Sequence, residues 1–142
     1  MTAPPPPAPL PHRLVVRVYY EDTDAGGIVY HASYLRFAER ARTEMLRSLG
    51  FGQAELRRDH GVLFAVRRCS MDFLAPARLD DLLTVETAPE RLGGARVVAL
   101  QTVLLDERPL VRIKIELAVL GADDLRPRRL PADVAGRLTV GD

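Results

Sequence analysis

A chain of 142 residues, 47% hydrophobic and 27% charged, fits one globular domain with a single packed core. Its formal charge of +1 excludes a general electrostatic pull toward nucleic acid or membrane surfaces. The lone Cys69 excludes an internal disulfide and fits a reducing compartment, while the near-exclusive use of arginine over lysine (only Lys114) reflects base composition.

In chain order, residues 1–12 open with Pro4-Pro5-Pro6-Pro7 and carry neither a positive start nor an apolar core segment. They read as a disordered, solvated polyproline-II arm rather than a secretory signal. No apolar run approaches the roughly 20 residues of a membrane span, so the expected location is the cytoplasm. Residues 13–131 read as the folded domain and 132–142 as a C-terminal tail.

Within the domain, the β-branched and aromatic stretch over 13–20 predicts a strand. The run Tyr20-Glu21-Asp22-Thr23-Asp24-Ala25-Gly26-Gly27-Ile28-Val29-Tyr30-His31 then packs acidic groups onto a glycine turn. From Ala32, the positions Tyr34, Ala38, Ala41, Met45 and Leu49 recur at three- and four-residue spacing, which predicts one buried stripe of a long helix. Arg40 and Glu44 are spaced to pair on its other face, and Gly50 suits the left-handed residue that ends it. A short helical piece over 53–59 precedes Gly61. Strands follow over 62–75, 82–87 and 96–105, with a last strand alternating Val111, Ile113, Ile115, Leu117 and Val119 against Arg112, Lys114 and Glu116. Such alternation marks an antiparallel sheet with one buried face, and the short connections favour hairpins over crossovers. A strand, one long helix and four strands in a meander give an α+β fold, a curved antiparallel sheet of about five strands wrapped around one central helix.

Chemistry concentrates where the glycine turn meets the helix. A helix N-terminus presents unpaired N–H groups and about half a positive charge. A carboxylate beside it can act as base or nucleophile on a carbonyl those groups polarise. Spacing alone leaves Asp24 open between that role and an Asx-turn residue that orders the loop. Asp22 reads as a turn or capping residue, and His31 as a cap or packing histidine unless its ring meets substrate.

The run from Tyr20 to Tyr34, with the following Leu35-Arg36-Phe37-Ala38-Glu39-Arg40-Ala41-Arg42, resembles the 4-hydroxybenzoyl-CoA thioesterase family of hotdog-fold proteins. Within that family it is most similar to the Tol–Pal-associated acyl-CoA thioesterases of Gram-negative bacteria. Phe73-Leu74-Ala75-Pro76-Ala77-Arg78-Leu79-Asp80-Asp81 matches a second, less specific block. The resemblance implies a hotdog fold and hydrolysis of an acyl-CoA thioester, without metal or redox cofactor. It implies catalysis by Asp24 as nucleophile or general base, with the backbone N–H at His31 holding the thioester oxygen and the His31 ring free to bind substrate or steer water. Tyr34 and Glu39 correspond to positions lining the acyl pocket, although Tyr34 fits the core equally well and Glu39 fits a solvated pair with Arg42. Phe64 and Val66 would line the acyl group from a partner subunit, or simply pack in the core. Arg67 and Arg68, or Arg126, Arg128 and Arg129, are candidates for the phosphates of coenzyme A. His31 and Glu39 depart from the aromatic-specific pattern, which favours short aliphatic acyl groups.

The resemblance further implies a homo-oligomer, a dimer of dimers, with acyl-CoA as substrate and an acyl carrier protein as an additional partner. A rival reading is a non-enzymatic hotdog module binding acyl carriers or envelope partners, which has no need of the Asp24 carboxylate. Asp22-Thr23-Asp24 also imitates a phosphoaspartate motif, but the hairpin strands after the first helix disfavour the doubly wound sheet that chemistry uses. His12, His31 and His60 lack zinc-ligand spacing, and no Walker A or Gly-x-Gly-x-x-Gly loop is present.

Overall fold

The computed structural model describes residues 10–139. Five antiparallel strands form one sheet in the order β1-β3-β4-β5-β2. They are β1 (His12–Arg17), β2 (Val62–Phe73), β3 (Leu82–Gly93), β4 (Arg96–Leu105) and β5 (Arg108–Gly121). The long helix α1 (Ser33–Ser48) lies on one face of the sheet, and α2 (Gln53–Glu55) runs on into a π-helical turn, Leu56–His60. The last described element is α3 (Ala132–Thr139).

The expected stripe forms the core. Tyr34, Phe37, Ala38, Ala41, Met45, Leu46 and Leu49 are buried on α1, against Val85, Val103, Ile113, Ile115 and Val119 of the sheet. A helix with one apolar stripe gains most of its stability from such packing. Gly50 ends α1 at φ +94°, with its N–H donated to Arg47 O and that of Phe51 to Leu46 O, so two orphan carbonyls are satisfied. The Arg40–Glu44 pair does not form. Glu44 pairs with Arg47 instead, and the Arg40 guanidinium lies 6.0 Å from the centre of the Phe37 ring.

The topology departs from a four-strand meander. Only β3, β4 and β5 are sequential neighbours, while β1 pairs with β3 and β2 pairs with β5 at opposite edges. Hydrophobic alternation specifies which face of a strand is buried but not which strand it adjoins. β1 is also shorter than expected and begins earlier. It opens at His12, inside the expected arm, whose residues 1–9 lie outside the described part of the chain. It stops at Arg17 because Tyr20–Asp22 curl into a 3₁₀ turn, closed by the Tyr19 N–H donating to Asp22 Oδ2 at 2.8 Å.

β3 runs to Gly93, past the expected end at Thr87, because a register shift between Pro89 and Arg91 accommodates the proline. A two-residue turn joins β4 to β5, with Asp106 at φ 50° and Glu107 at φ 66°. Residues 132–139, expected as a tail, form α3 instead. Val134 and Leu138, one turn apart, are both buried in the core. No helix among the described residues is long and apolar enough to cross a membrane.

Candidate active site

The loop 18–31 is tied at its base and open at its tip. Asp22 is 4% exposed. Its backbone carbonyl accepts from Tyr30 N–H (2.9 Å) and from Ser33 Oγ (3.1 Å), which joins the loop to the first turn of α1. Arg36 donates to Ser33 Oγ at 2.8 Å and reaches within 4.0 Å of the Asp22 carboxylate. Asp22 therefore has the turn and capping role its position suggests.

Above that base, Thr23 pairs with Val29 and Asp24 N–H donates to Ile28 O at 2.9 Å, folding 24–28 into a tight reversal. Asp24 itself is exposed. Its Oδ1 accepts from Gly26 N–H at 2.8 Å, an Asx turn, and Oδ2 has no partner among the described residues. A Cβ on Gly26 would lie 3.2 Å from Asp24 Oδ1, so the carboxylate rests against a backbone with little room for a side chain. The two roles open for Asp24 are compatible, since one oxygen orders the turn while the other stays free for chemistry.

The second sequence block completes the loop's support. Val29 N–H donates to Ala77 O (2.9 Å), Ile28 bridges to Arg78, and Val18 exchanges bonds with Asp80 and Asp81. Ala77 N–H in turn donates to the hydroxyl of Tyr34 at 3.1 Å. Tyr34 is 3% exposed, its ring packed against Phe37 and Phe73, and burial raises its hydroxyl above the usual tyrosine range. In this chain Tyr34 is a core residue that latches the two blocks together.

At the start of α1, Ala32 stands at the N-cap and makes no side-chain capping bond. Among the described residues, the backbone N–H groups of His31 and Ala32 donate to no protein acceptor. Both therefore retain hydrogen-bonding capacity at the positive end of a 16-residue helix. The His31 side chain is exposed and stacks on Tyr30, with ring centroids 4.3 Å apart.

The remaining candidates divide into two groups. Glu39, Phe64 and Val66 come together, with Arg42, Leu46 and Leu117, around a cavity of about 380 Å³ between α1 and the β2–β5 edge. Glu39 also lines a cavity of about 640 Å³ on the β1 flank of the helix. It forms no ion pair with Arg42, because the Arg42 guanidinium turns inward and donates to Gln101 Oε1 at 2.9 Å. Gln101 Nε2 then donates to Ala38 O and Thr87 Oγ1, both at 2.9 Å. Burial lowers the Arg42 pKa, partly offset by the charge of Glu39. Sequence reasoning missed this network, although Gln101 was visible as a polar residue on the apolar phase of β4, between Ala99 and Val103.

Arg67 and Arg68 lie elsewhere. A bulge between Val66 and Arg68 turns them to the sheet face away from α1, where each approaches Glu116 at 3.8 and 3.7 Å. They are not grouped with Glu39, Phe64 and Val66 within one chain. Of the other arginines, Arg128 pairs with Asp124 at 2.8 Å. Among the described residues, no three His, Cys, Asp or Glu side chains are grouped to hold a metal ion.

The fold has known relatives. The family described as Thioesterase superfamily matches residues 26–111, most of the folded domain. The chain belongs to the thioesterase superfamily. It is 47% identical to the acyl-CoA thioester hydrolase YbgC of Escherichia coli O157:H7, over 86% of this chain and 91% of that protein. It is 43% identical to the acyl-CoA thioesterase YbgC of Haemophilus influenzae, over 84% and 88% of the two chains. A solved structure of a probable thioesterase from Bartonella henselae superposes with a TM-score of 0.79 at 43% identity, covering 84% of this chain and 98% of that one. The hotdog architecture and its α+β class thus hold for this superfamily member.

Proposed function

We propose that this chain is an acyl-CoA thioester hydrolase in which Asp24 and the first turn of α1 perform the chemistry. The observation that carries the proposal is the pairing of an exposed carboxylate, held by one oxygen, with an uncapped helix N-terminus on the same short loop. The relatives named as acyl-CoA thioester hydrolases support the substrate class.

The thioester carbonyl oxygen accepts from the backbone N–H at His31, which stabilises the negative charge that develops as the carbonyl is attacked. Asp24 acts in one of two ways. As base, it takes a proton from water, whose oxygen adds to the carbonyl carbon. Collapse of the tetrahedral intermediate breaks the C–S bond, and the leaving thiolate takes up the proton. As nucleophile, its free oxygen displaces the thiolate to form an anhydride, which water then opens to release the acid and restore the carboxylate. Neither route calls on a metal or redox cofactor. Single turnover in ¹⁸O water separates them, because only the anhydride route places label in Asp24.

The acyl group fits the cavity between Glu39, Phe64 and Val66, and departures at His31 and Glu39 from the aromatic-specific pattern favour short aliphatic chains. An open edge supports a composite site. β2 is a 12-residue edge strand, and Val66 and Phe73 along it are each 54% exposed. Pairing that edge with a second copy covers unpaired backbone groups and brings one chain's cavity toward its partner's loop. The assembly proposed is a dimer of dimers.

The deciding experiment is thiol release from a graded acyl-CoA panel by the wild type, Asp24→Asn and His31→Ala. Asp24→Asn is expected to lose most turnover with substrate binding retained. His31→Ala is expected to lose less than the roughly 10²–10³-fold cost of an oxyanion donor, because the backbone N–H survives. Near-normal turnover by Asp24→Asn in the intact oligomer overturns the mechanism. Absence of turnover on every acyl-CoA favours a binding module, and a fully active 15.7 kDa monomer in sedimentation overturns the composite site.

A further inference from the structure

The acyl cavity has an inner end that its mouth does not reveal. Arg42, Leu46, Phe64 and Leu117 line both the 380 Å³ opening and a second, nearly filled space of about 20 Å³ behind it. These four shared side chains form a neck between the two spaces. Beyond the neck the walls are Met45 of α1, Pro89 of β3, Val97 and Ala99 of β4, and Leu138 of α3. The inner walls expose no polar surface, even though Arg42 stands among them. The reason is the bond from the Arg42 guanidinium to Gln101, which draws the charge aside and leaves the aliphatic stem facing the channel.

Leu138 differs from the other inner residues in where it comes from. Met45, Val97 and Ala99 belong to the helix and sheet that make the core itself, whereas Leu138 arrives on a separate eight-residue helix that folds back across the end of the channel. It is 3% exposed, so it fills its place as a plug. Val134, one turn earlier, is equally buried but does not line the channel.

We propose that Leu138 of α3 closes the acyl channel and sets the longest acyl chain the enzyme accepts. The proposal rests on the acyl-CoA hydrolase reading and deepens it by naming the residue that limits chain length. Replacing leucine by alanine removes three carbon atoms from the closed end. The opened space then receives the terminal methylenes of a longer substrate, each worth about 4-fold in kcat/KM when buried.

The test compares Leu138→Ala, the milder Leu138→Val and the control Val134→Ala in the full chain. Each is first checked for wild-type circular dichroism and sedimentation. Two readouts follow: kcat/KM across acyl-CoAs from two to twelve carbons, and calorimetric binding of non-hydrolysable alkyl-CoA thioethers of the same lengths to Asp24→Asn backgrounds. Leu138→Ala is expected to move the optimum to chains longer by about two carbons, raising the long-to-short selectivity ratio about 15-fold. Leu138→Val moves it by about one carbon in the same direction and carries the test if the alanine variant does not fold. Val134→Ala is expected to keep the wild-type profile. An unchanged profile in the folded Leu138 variants, or an equal shift in Val134→Ala, overturns the proposal. The thioether arm separates the two levels. A length shift in binding without turnover in any background upholds Leu138 while defeating the hydrolase reading, and binding of no length defeats both.

Discussion

The two ends of α1 are built on opposite terms. At its N-terminus the chain offers exposed polar groups: Asp24, His31, and backbone N–H donors that no side chain caps. At its C-terminus the helix is sealed by Leu49, Leu56, Val134 and Leu138, none more than 3% exposed, with a glycine cap that satisfies the last carbonyls. One end leaves N–H donors for a ligand, whereas at the other the carbonyls of Met45, Leu46, Arg47 and Leu49 already accept hydrogen bonds. The difference shows how a small domain keeps a reactive end without losing stability, because the burial that holds the helix lies away from the carboxylate and N–H groups that would meet the thioester.

Substitutions at either end of α1, and between them, test that contrast. Asp24→Asn has the largest expected effect, a 10²–10⁴-fold loss of turnover with the thermal midpoint nearly unchanged. A large drop in stability would show that the open end also carries structural load. Leu49→Ala is the mirror case. Deleting a fully buried leucine costs about 2–5 kcal/mol, measured by urea unfolding, while the folded fraction keeps its turnover number.

Between the two ends lies Tyr34, whose hydroxyl accepts from the buried Ala77 N–H. Tyr34→Phe orphans that donor and is expected to cost about 1–3 kcal/mol, with a smaller fall in activity as the loop loosens. Gly26→Ala tests how closely the carboxylate is held. Its Cβ would stand 3.2 Å from Asp24 Oδ1, and a displaced carboxylate should lower kcat about 10-fold without moving the urea midpoint.

The smallest effect concerns His12 on β1. Burial holds its imidazole below the ordinary 6.5, with Glu44 acting weakly the other way, and its Nδ1 is buried without a partner. As pH falls below 6.5 the unfolded chain therefore binds more protons than the folded one, and stability declines. His12→Asn should flatten the urea midpoint between pH 7 and pH 5.5, and an unchanged slope would assign the acid sensitivity to other groups.

Local sequence chemistry determined a good deal. The stripe from Tyr34 to Leu49, the glycine cap at Gly50 and the alternation from Val111 to Val119 each depend on neighbours within a few residues, so periodicity alone placed α1 and β5. The carboxylate, the glycine turn and the helix start are contiguous, so the candidate site was legible as a unit. What the sequence could not determine depended on partners far along the chain. Strand order sent β2 to the edge beside β5, since alternation fixes a face and not a neighbour. Arg42 left Glu39 for Gln101, 59 residues away, because a buried amide needs partners and the guanidinium supplies one. The helix of residues 132–139 formed where a tail was expected, because its two apolar residues gain their stability only from a core that the rest of the fold must first assemble.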